Sequence, residues 1–265
     1  MPEGDSVAVM TNLVRSMILG KKIIRLCPLP GCKPTGIGNT QVEANTVSAV
    51  ESNGKLMWIT LTNGLWIFST FGLAGGWCLG ESTSNRFELT CEDGTRLFFR
   101  DGMNYGGITV TDDPKIFAKK MKERGFDLFG NMPLTYDTFM QIVRKAKKIN
   151  ICDFLLTKQN LLSGVGNVLK CEILYRAGIS PWRTIDSLTD AELHALYDSI
   201  NAICQHALQC NGRAYRYTDL IPREVCTFEQ HFSVYEKQID SLGNSVLCEK
   251  TPDGRKSYWV KGVQN

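Results

Sequence analysis

The residues best equipped for chemistry stand at the start of the chain: Pro2 and Glu3 in "MPEGDSVAVM". Once Met1 is removed, Pro2 carries a secondary amine. An α-amino group, with a reference pKa of about 7.7–8.0, is partly unprotonated near neutrality, whereas a lysine at about 10.4 would need burial to match it. Such an amine can attack an electrophilic carbon and form a cationic imine, with Glu3 beside it as acid or base. Two other stretches offer anion chemistry. In "NLLSGVGNVLKCEILYRAGISP" (160–181), Gly164 and Gly166 flank Val165 ahead of Asn167 and a helical pattern. Free N–H groups at such a turn attract phosphate, although an ordinary helix–turn–helix corner has the same letters. In the tail, Asp253-Gly254 can turn a hairpin that sets Arg255 beside Lys256 and Lys261. Arg255 there either grips a phosphate bidentately or decorates a solvated hairpin.

The elements that must position these residues are readable from period and punctuation. Val7, Met10, Leu13, Val14, Met17 and Ile18 recur at helical spacing over 6–19, with Asp5 or Ser6 to cap the start and Gly20 the end. From Lys21 to about Thr111, short β-rich runs ("KIIRL", "LMWITL", "LWIFST", "RFELT", "RLFFRD") alternate with Asn-Gly or Asp-Gly at 53–54, 63–64 and 93–94. That pattern predicts antiparallel hairpins packed on themselves. Beyond Asp112 the runs "DPKIFAKKMKERG", "TYDTFMQIVRKAK", "DFLLTKQNLL" and "NVLKCEILYRAG" read as helices. Thr189 and Glu192 form a capping box for another, ending near Cys210. The expected class is α+β, with an N-terminal β-sandwich domain over 1–131 and a C-terminal helical domain over 132–265 that carries a hairpin at about 232–265.

Composition narrows the function classes. The chain has 265 residues, 43% of them hydrophobic, and a net charge of +3. This balance permits nucleic acid without demonstrating it, and "RKAKK" at 144–148 reads first as a solvated helix face. No run of about 18 apolar residues spans a membrane, so no membrane partner and an intracellular setting are expected. The ten cysteines include no Cys-x-x-Cys pair, and most read as buried thiols of a reducing compartment. His194, His206 and His231 show no metal-ligand spacing and read as structural, so neither a metal nor another cofactor is expected.

Four separated motifs, in order, resemble the formamidopyrimidine-DNA glycosylase and endonuclease VIII family over nearly the whole chain: "PEG" at 2–4, "GK" ending on Lys55, "SGVGNVLKCEILYRAGISP" at 163–181 and "DGRKSYWVKGVQ" at 253–264. The "PEGD" opening is more similar to the endonuclease VIII branch. The resemblance implies a base excision repair enzyme for oxidised bases, acting on damaged DNA as a monomer, with both glycosylase and abasic-site lyase activity. It implies that Pro2 attacks the sugar C1′, that Glu3 protonates the ring oxygen, and that Lys55 holds phosphate and assists elimination. It further implies that Asn167 binds phosphate from a helix-two-turns-helix module, that Glu172 of that module lies near the catalytic centre, and that Arg255 of the finger assists δ-elimination.

Departures from the family pattern sharpen these expectations. The tail has Val260 and Val263 where the last pair of zinc cysteines would fall, and so resembles the zincless-finger members. Leu73 in "STFGLAGGW" falls where the family inserts an apolar wedge into the base stack. In "RDGMNYGG", Met103, Asn104 and Tyr105 stand where formamidopyrimidine enzymes show two arginines and a phenylalanine. Tyr105 can still stack on a base. Losing the arginine favours oxidised pyrimidines over strictly cytosine-paired oxidised guanine. "CNGRAYRYTDL" (210–220) corresponds to the loop that covers a flipped base. The rival reading is a catalytically silent protein that binds damaged or abasic DNA.

Overall fold

The computed structural model describes residues 1–32, 42–222, 225 and 227–265. Helix α1 (Gly4–Ile18) buries Val7, Met10, Val14 and Ile18, one turn apart along a single face. It begins two residues earlier than its apolar period suggested. Glu3 is the extended residue before it, while Asp5 and Ser6, the expected caps, lie in its first turn. The strands β1 (Lys22–Pro28), β2 (Asn45–Asn53), β3 (Leu56–Leu61), β4 (Trp66–Thr70), β5 (Gly76–Cys78), β6 (Asn85–Cys91), β7 (Arg96–Arg100) and β8 (Gly107–Thr111) form one sheet in the order β5-β7-β6-β1-β2-β3-β4-β8. Every pairing in it is antiparallel, and the three glycine turns at 53–54, 63–64 and 93–94 join β2 to β3, β3 to β4 and β6 to β7. β1 meets β2 only through Lys22 and Ile23. Side chains from both halves, among them Ile23, Val50, Ile59, Ile67, Trp77, Phe87 and Phe99, share one core with α1. The sheet therefore closes on itself as a sandwich.

The second half has its own core, reaching from Leu134 to Phe232. It follows α2 (Pro114–Lys122) and β9 (Phe126–Asp127) and contains α3 (Tyr136–Arg144), α4 (Ile151–Leu156), β10 (Leu162–Ser163), α5 (Asn167–Ala177) and α6 (Asp190–Gln209). The expected capping box is present: Thr189 Oγ1 accepts from the Glu192 N–H, and Glu192 accepts from the Thr189 N–H. "DFLLTKQNLL" departs from its helical reading. α4 stops at Leu156, and Leu162–Ser163 instead pairs in parallel with β9, because Gly125 and Phe126 donate to the carbonyls of Gln159 and Leu161. That break turns the chain into the Gly164–Gly166 corner. Lys145, Lys147 and Lys148 are exposed, as a solvated face requires.

The chain ends in an antiparallel hairpin of β11 (Leu247–Lys250) and β12 (Lys256–Trp259). Its base packs on α5 through an apolar cluster of Cys171, Val234 and Val260, against which Tyr175, Tyr235, Tyr258 and Val263 lie. Val260 is thus buried in a small core, with Val263 packed against it. Its turn is pinned by Lys170 of α5, which pairs with Asp253 at 2.5 Å with both side chains fully buried. Burial pushes the Asp253 carboxyl up, but the ammonium and the Thr251 hydroxyl outweigh it and hold the group below its usual range. No helix among the described residues is long and apolar enough to cross a membrane. Cys78, Cys91, Cys152, Cys171 and Cys204 are buried thiols as expected, whereas Cys27, Cys32 and Cys210 are half-buried and Cys248 is exposed; Cys226 lies outside the described residues.

Candidate active site

Glu3 joins the two halves of the molecule. Its buried carboxylate accepts three backbone hydrogen bonds at the start of α5, from Gly166 (3.1 Å), Val168 (2.9 Å) and Leu169 (3.1 Å). A carboxylate there satisfies orphan N–H groups and meets the positive end of the helix dipole. The fit demands glycine: a Cβ on Gly166 would lie 2.1 Å from the Glu3 carboxyl carbon. Gly4 donates to the Gly164 carbonyl at 2.8 Å, and a Cβ on Gly4 would strike the Phe129 ring at 2.4 Å. The "PEG" and "SGVG" stretches, 160 residues apart, are thus two sides of one backbone contact that fixes the buried Pro2.

A cavity of about 420 Å³ opens beside this contact and is lined by Met1, Glu3, Lys55, Leu73, Asn167, Arg213, Tyr235 and Arg255, among others. Lys55 follows the Asn53-Gly54 turn, and its Nζ donates to the Val165 carbonyl at 2.6 Å. Burial lowers its pKa, assisted by the positive charge of Arg255 and opposed by Glu3 and Asp5. Asn167 opens α5, and its side-chain amide donates to the Lys256 carbonyl at 2.9 Å, bridging helix and hairpin. Arg255 is exposed just past the Asp253-Gly254 turn. Leu73, 39% exposed, stands at the rim. Five of the residues singled out in the sequence (Glu3, Lys55, Leu73, Asn167 and Arg255) therefore converge on one cleft.

Three others lie elsewhere. Asn104, in a left-handed conformation (φ 54°), accepts from Arg86 Nε at 2.7 Å and donates to the Gly31 carbonyl, so its side chain holds a loop together. Tyr105 does not line the cleft. It is 65% exposed, on a loop that presses against Gly72, the neighbour of Leu73. Glu172, expected near the catalytic centre as a DNA-binding residue, is instead only 1% exposed. Its carboxylate is occupied by the N–H groups of Ser233, Val234 and Tyr235. It is sealed away from any cavity, and it holds the turn at 233–235 that precedes the hairpin.

The fold also supplies residues that composition did not single out. Arg213 donates its backbone N–H to Ser6 Oγ and its guanidinium to Glu229. Its Nε is buried without a partner among the described residues. Tyr235 faces it, with the Arg213 guanidinium carbon 6.0 Å from the ring centroid. Asp5, fully enclosed beside Glu3, has its pKa pushed up to about 7 by burial and the neighbouring carboxylate, against the Ser6 hydrogen bonds and Arg213. The Met1 amine donates to the Tyr217 hydroxyl at 3.1 Å. Burial lowers the pKa of that amine, with Arg213, Lys55 and Arg216 adding to the effect and Glu3 opposing it. An amine one residue further in enters the same surroundings. Arg213 and Tyr217 fall within the 210–220 stretch, where interleaved arginine and tyrosine were the available signal; nothing in the sequence pointed to Asp5 or Tyr235.

The cleft beside the Glu3–α5 contact, lined by Lys55, Arg213 and Arg255, offers a concentration of positive charge suited to an anionic ligand. Comparison with known proteins gives the particular family. The formamidopyrimidine-DNA glycosylase N-terminal domain model matches residues 1–108, and the formamidopyrimidine-DNA glycosylase H2TH domain model matches 130–219. The formamidopyrimidine-DNA glycosylase of Syntrophomonas wolfei is 24% identical over the full length of both chains. That of Arabidopsis thaliana is 26% identical over 82% of this chain and 60% of its own. Among solved structures, the MutM (Fpg) protein of Thermus thermophilus superposes with a TM-score of 0.85 at 21% identity, covering 99% of this chain and 98% of its own. A Lactococcus lactis Fpg mutant bound to Fapy-dG DNA gives 0.86 at 22% identity over all of both chains. The chain belongs to the formamidopyrimidine-DNA glycosylase family.

Proposed function

We propose that this chain is a bifunctional repair enzyme: a DNA glycosylase that removes oxidised bases through an imine on Pro2, and an abasic-site lyase that then nicks the strand by β,δ-elimination. The observation that carries the reading is the docking of Glu3, the neighbour of Pro2, onto α5 at the edge of the cleft that also holds Lys55, Asn167 and Arg255. With Met1 removed, the Pro2 amine attacks C1′ of a flipped nucleotide. Glu3 takes the proton that the amine releases and returns it to the sugar ring oxygen as the ring opens, while the base leaves with the electron pair of its bond to C1′ and takes a proton from water. Lys55, Asn167 and Arg255 hold the flanking phosphates; Lys55, with its lowered pKa, assists proton removal during elimination. Arg213 offers its unpartnered Nε to an acceptor on the extruded base.

The finer assignment rests on particular positions. Val260 and Val263 pack in an apolar cluster at the base of the hairpin, which supports a finger of the zincless, endonuclease VIII-like kind. Asn104 spends its side chain on Arg86 and the Gly31 carbonyl, and the 101–106 loop itself carries no arginine to read an opposite base, which favours oxidised pyrimidines. In the same reading, residues 1–131 form the catalytic part and 132–265 the DNA-holding part, with Leu73 as the wedge. A cleavage panel of oxidised purines, oxidised pyrimidines and abasic sites, in single- and double-stranded DNA, tests it with protein whose Met1 removal is confirmed by mass spectrometry. Excision of oxidised pyrimidines with nicked, phosphate-ended products is expected. Binding to these DNAs without excision or nicking would establish the silent binding protein instead.

A further inference from the structure

The sequence offered no metal spacing among its histidines, yet the fold gathers two of them around a cysteine. His206 and Cys210 lie one turn apart at the end of α6, and His231 closes the 3-10 turn Phe228–His231. One ligand atom from each of the three lies within 4.8 Å of the others. The two imidazoles approach to 4.6 Å between centroids, and Phe228 packs edge-on to His206 at 5.6 Å. By contrast, His194 stacks flat on Tyr136 at 3.9 Å, the structural role expected of it.

We propose that His206, Cys210 and His231 form a zinc site. Two imidazole nitrogens and a thiolate are the donors Zn²⁺ prefers, and three protein ligands with an open fourth position taken by water are a common arrangement. Metal–ligand bonds of about 2.0–2.3 Å place ligand atoms roughly 3.3–3.8 Å apart, so closure needs a shift of about 1 Å. The exposed side chain of His231 can supply it. Binding expels the Cys210 thiol proton to solvent. The site lies where it matters for the cleft. Phe228 donates its N–H to the Gly212 carbonyl at 3.0 Å, and Glu229 of the same turn binds Arg213, Arg216 and the Tyr215 hydroxyl. A metal at His231 fixes that turn and, through Glu229, the arginine that lines the cavity.

The test uses the full-length chain stripped with a chelator and titrated with Co²⁺. A thiolate-to-cobalt charge-transfer band should grow to one equivalent, together with visible absorption of four-coordinate intensity, and Zn²⁺ should displace both. Cys210→Ser should remove the charge-transfer band. His231→Ala, at an exposed position, should leave the protein folded while weakening Co²⁺ binding more than about tenfold and abolishing the rise in Tm that Zn²⁺ gives the unaltered chain. Absence of the band, or a band unchanged in Cys210→Ser, would overturn the proposal.

Discussion

Two buried glutamates, Glu3 and Glu172, solve the same local problem in two regions of the molecule. Each carboxylate accepts three backbone N–H groups and ties a distant segment to α5: Glu3 from outside onto its first turn, Glu172 from within the helix onto residues 233–235. What differs is the company they keep. Glu3 borders a cavity with Lys55, Arg213 and Arg255 and has a second carboxylate, Asp5, next to it. Glu172 is sealed between helix and hairpin beside the apolar cluster of Val234 and Val260. Hydrogen-bond geometry alone therefore does not mark a reacting group; access to a ligand-sized space and a field of charges does.

The sharpest way to break this comparison is to remove one carboxylate charge at a time. Glu3→Gln should lower base excision by about 10²–10⁴-fold, the usual share of a positioned acid–base group, while circular dichroism shows a folded chain. If excision is unaffected, the two glutamates are equivalent structural clasps and the assignment of Glu3 fails.

The second test asks whether the carboxylate pair at the cleft gives that region a pH signature that the hairpin junction lacks. Asp5 has its pKa raised from 3.8 to about 7 in the folded chain. The folded state then binds a proton that the unfolded state has released, so stability is greatest below the unfolded value and falls as pH rises from about 4 through about 7. A shift of this size corresponds to on the order of 4 kcal/mol at most. Urea unfolding between pH 4 and 8 should show the decline, and Asp5→Asn should flatten it. A slope of the opposite sign, or one unaltered by Asp5→Asn, would remove Asp5 as its source.

The other side of the comparison predicts stability without chemistry. Glu172→Gln leaves one of the three N–H groups facing an amide donor, which should cost about 1–3 kcal/mol. Excision measured well below the transition temperature should change little. A loss of excision as large as that of Glu3→Gln would return Glu172 to the catalytic centre. The smallest effect is expected at Arg255, which sits on the exposed turn. Arg255→Ala should weaken binding similarly across DNA sequences and reduce the slope of log affinity against log salt by about 1, with fewer δ-elimination ends. An unchanged slope would place Arg255 off the phosphates.

These regions also differ in how much of them could be read from the letters. The three glycine hairpins, α1 and the Thr189–Glu192 cap were legible because each depends on neighbours in sequence. Lys55, Asn167 and Arg255 were legible through motifs, since each follows a turn that announces itself. The break after Leu156 was not, because it is decided by pairing of 162–163 with 126–127, across a gap no local period records. The burial of Glu172 was missed for the same reason: its three partners lie some sixty residues further on. Arg213 likewise depends on Ser6, some two hundred residues away, and the Lys170–Asp253 pair forms only when the hairpin folds back on α5.

The central claim is that the cleft around Glu3 exists to serve the amine of Pro2. Borohydride reduction of the protein with abasic or oxidised-pyrimidine DNA, followed by peptide mass spectrometry, tests it directly. The account predicts a covalent DNA adduct on the peptide that begins at Pro2, with its yield sharply reduced in Pro2→Gly. An adduct on Lys55 or any other lysine, or one undiminished in Pro2→Gly, would contradict it.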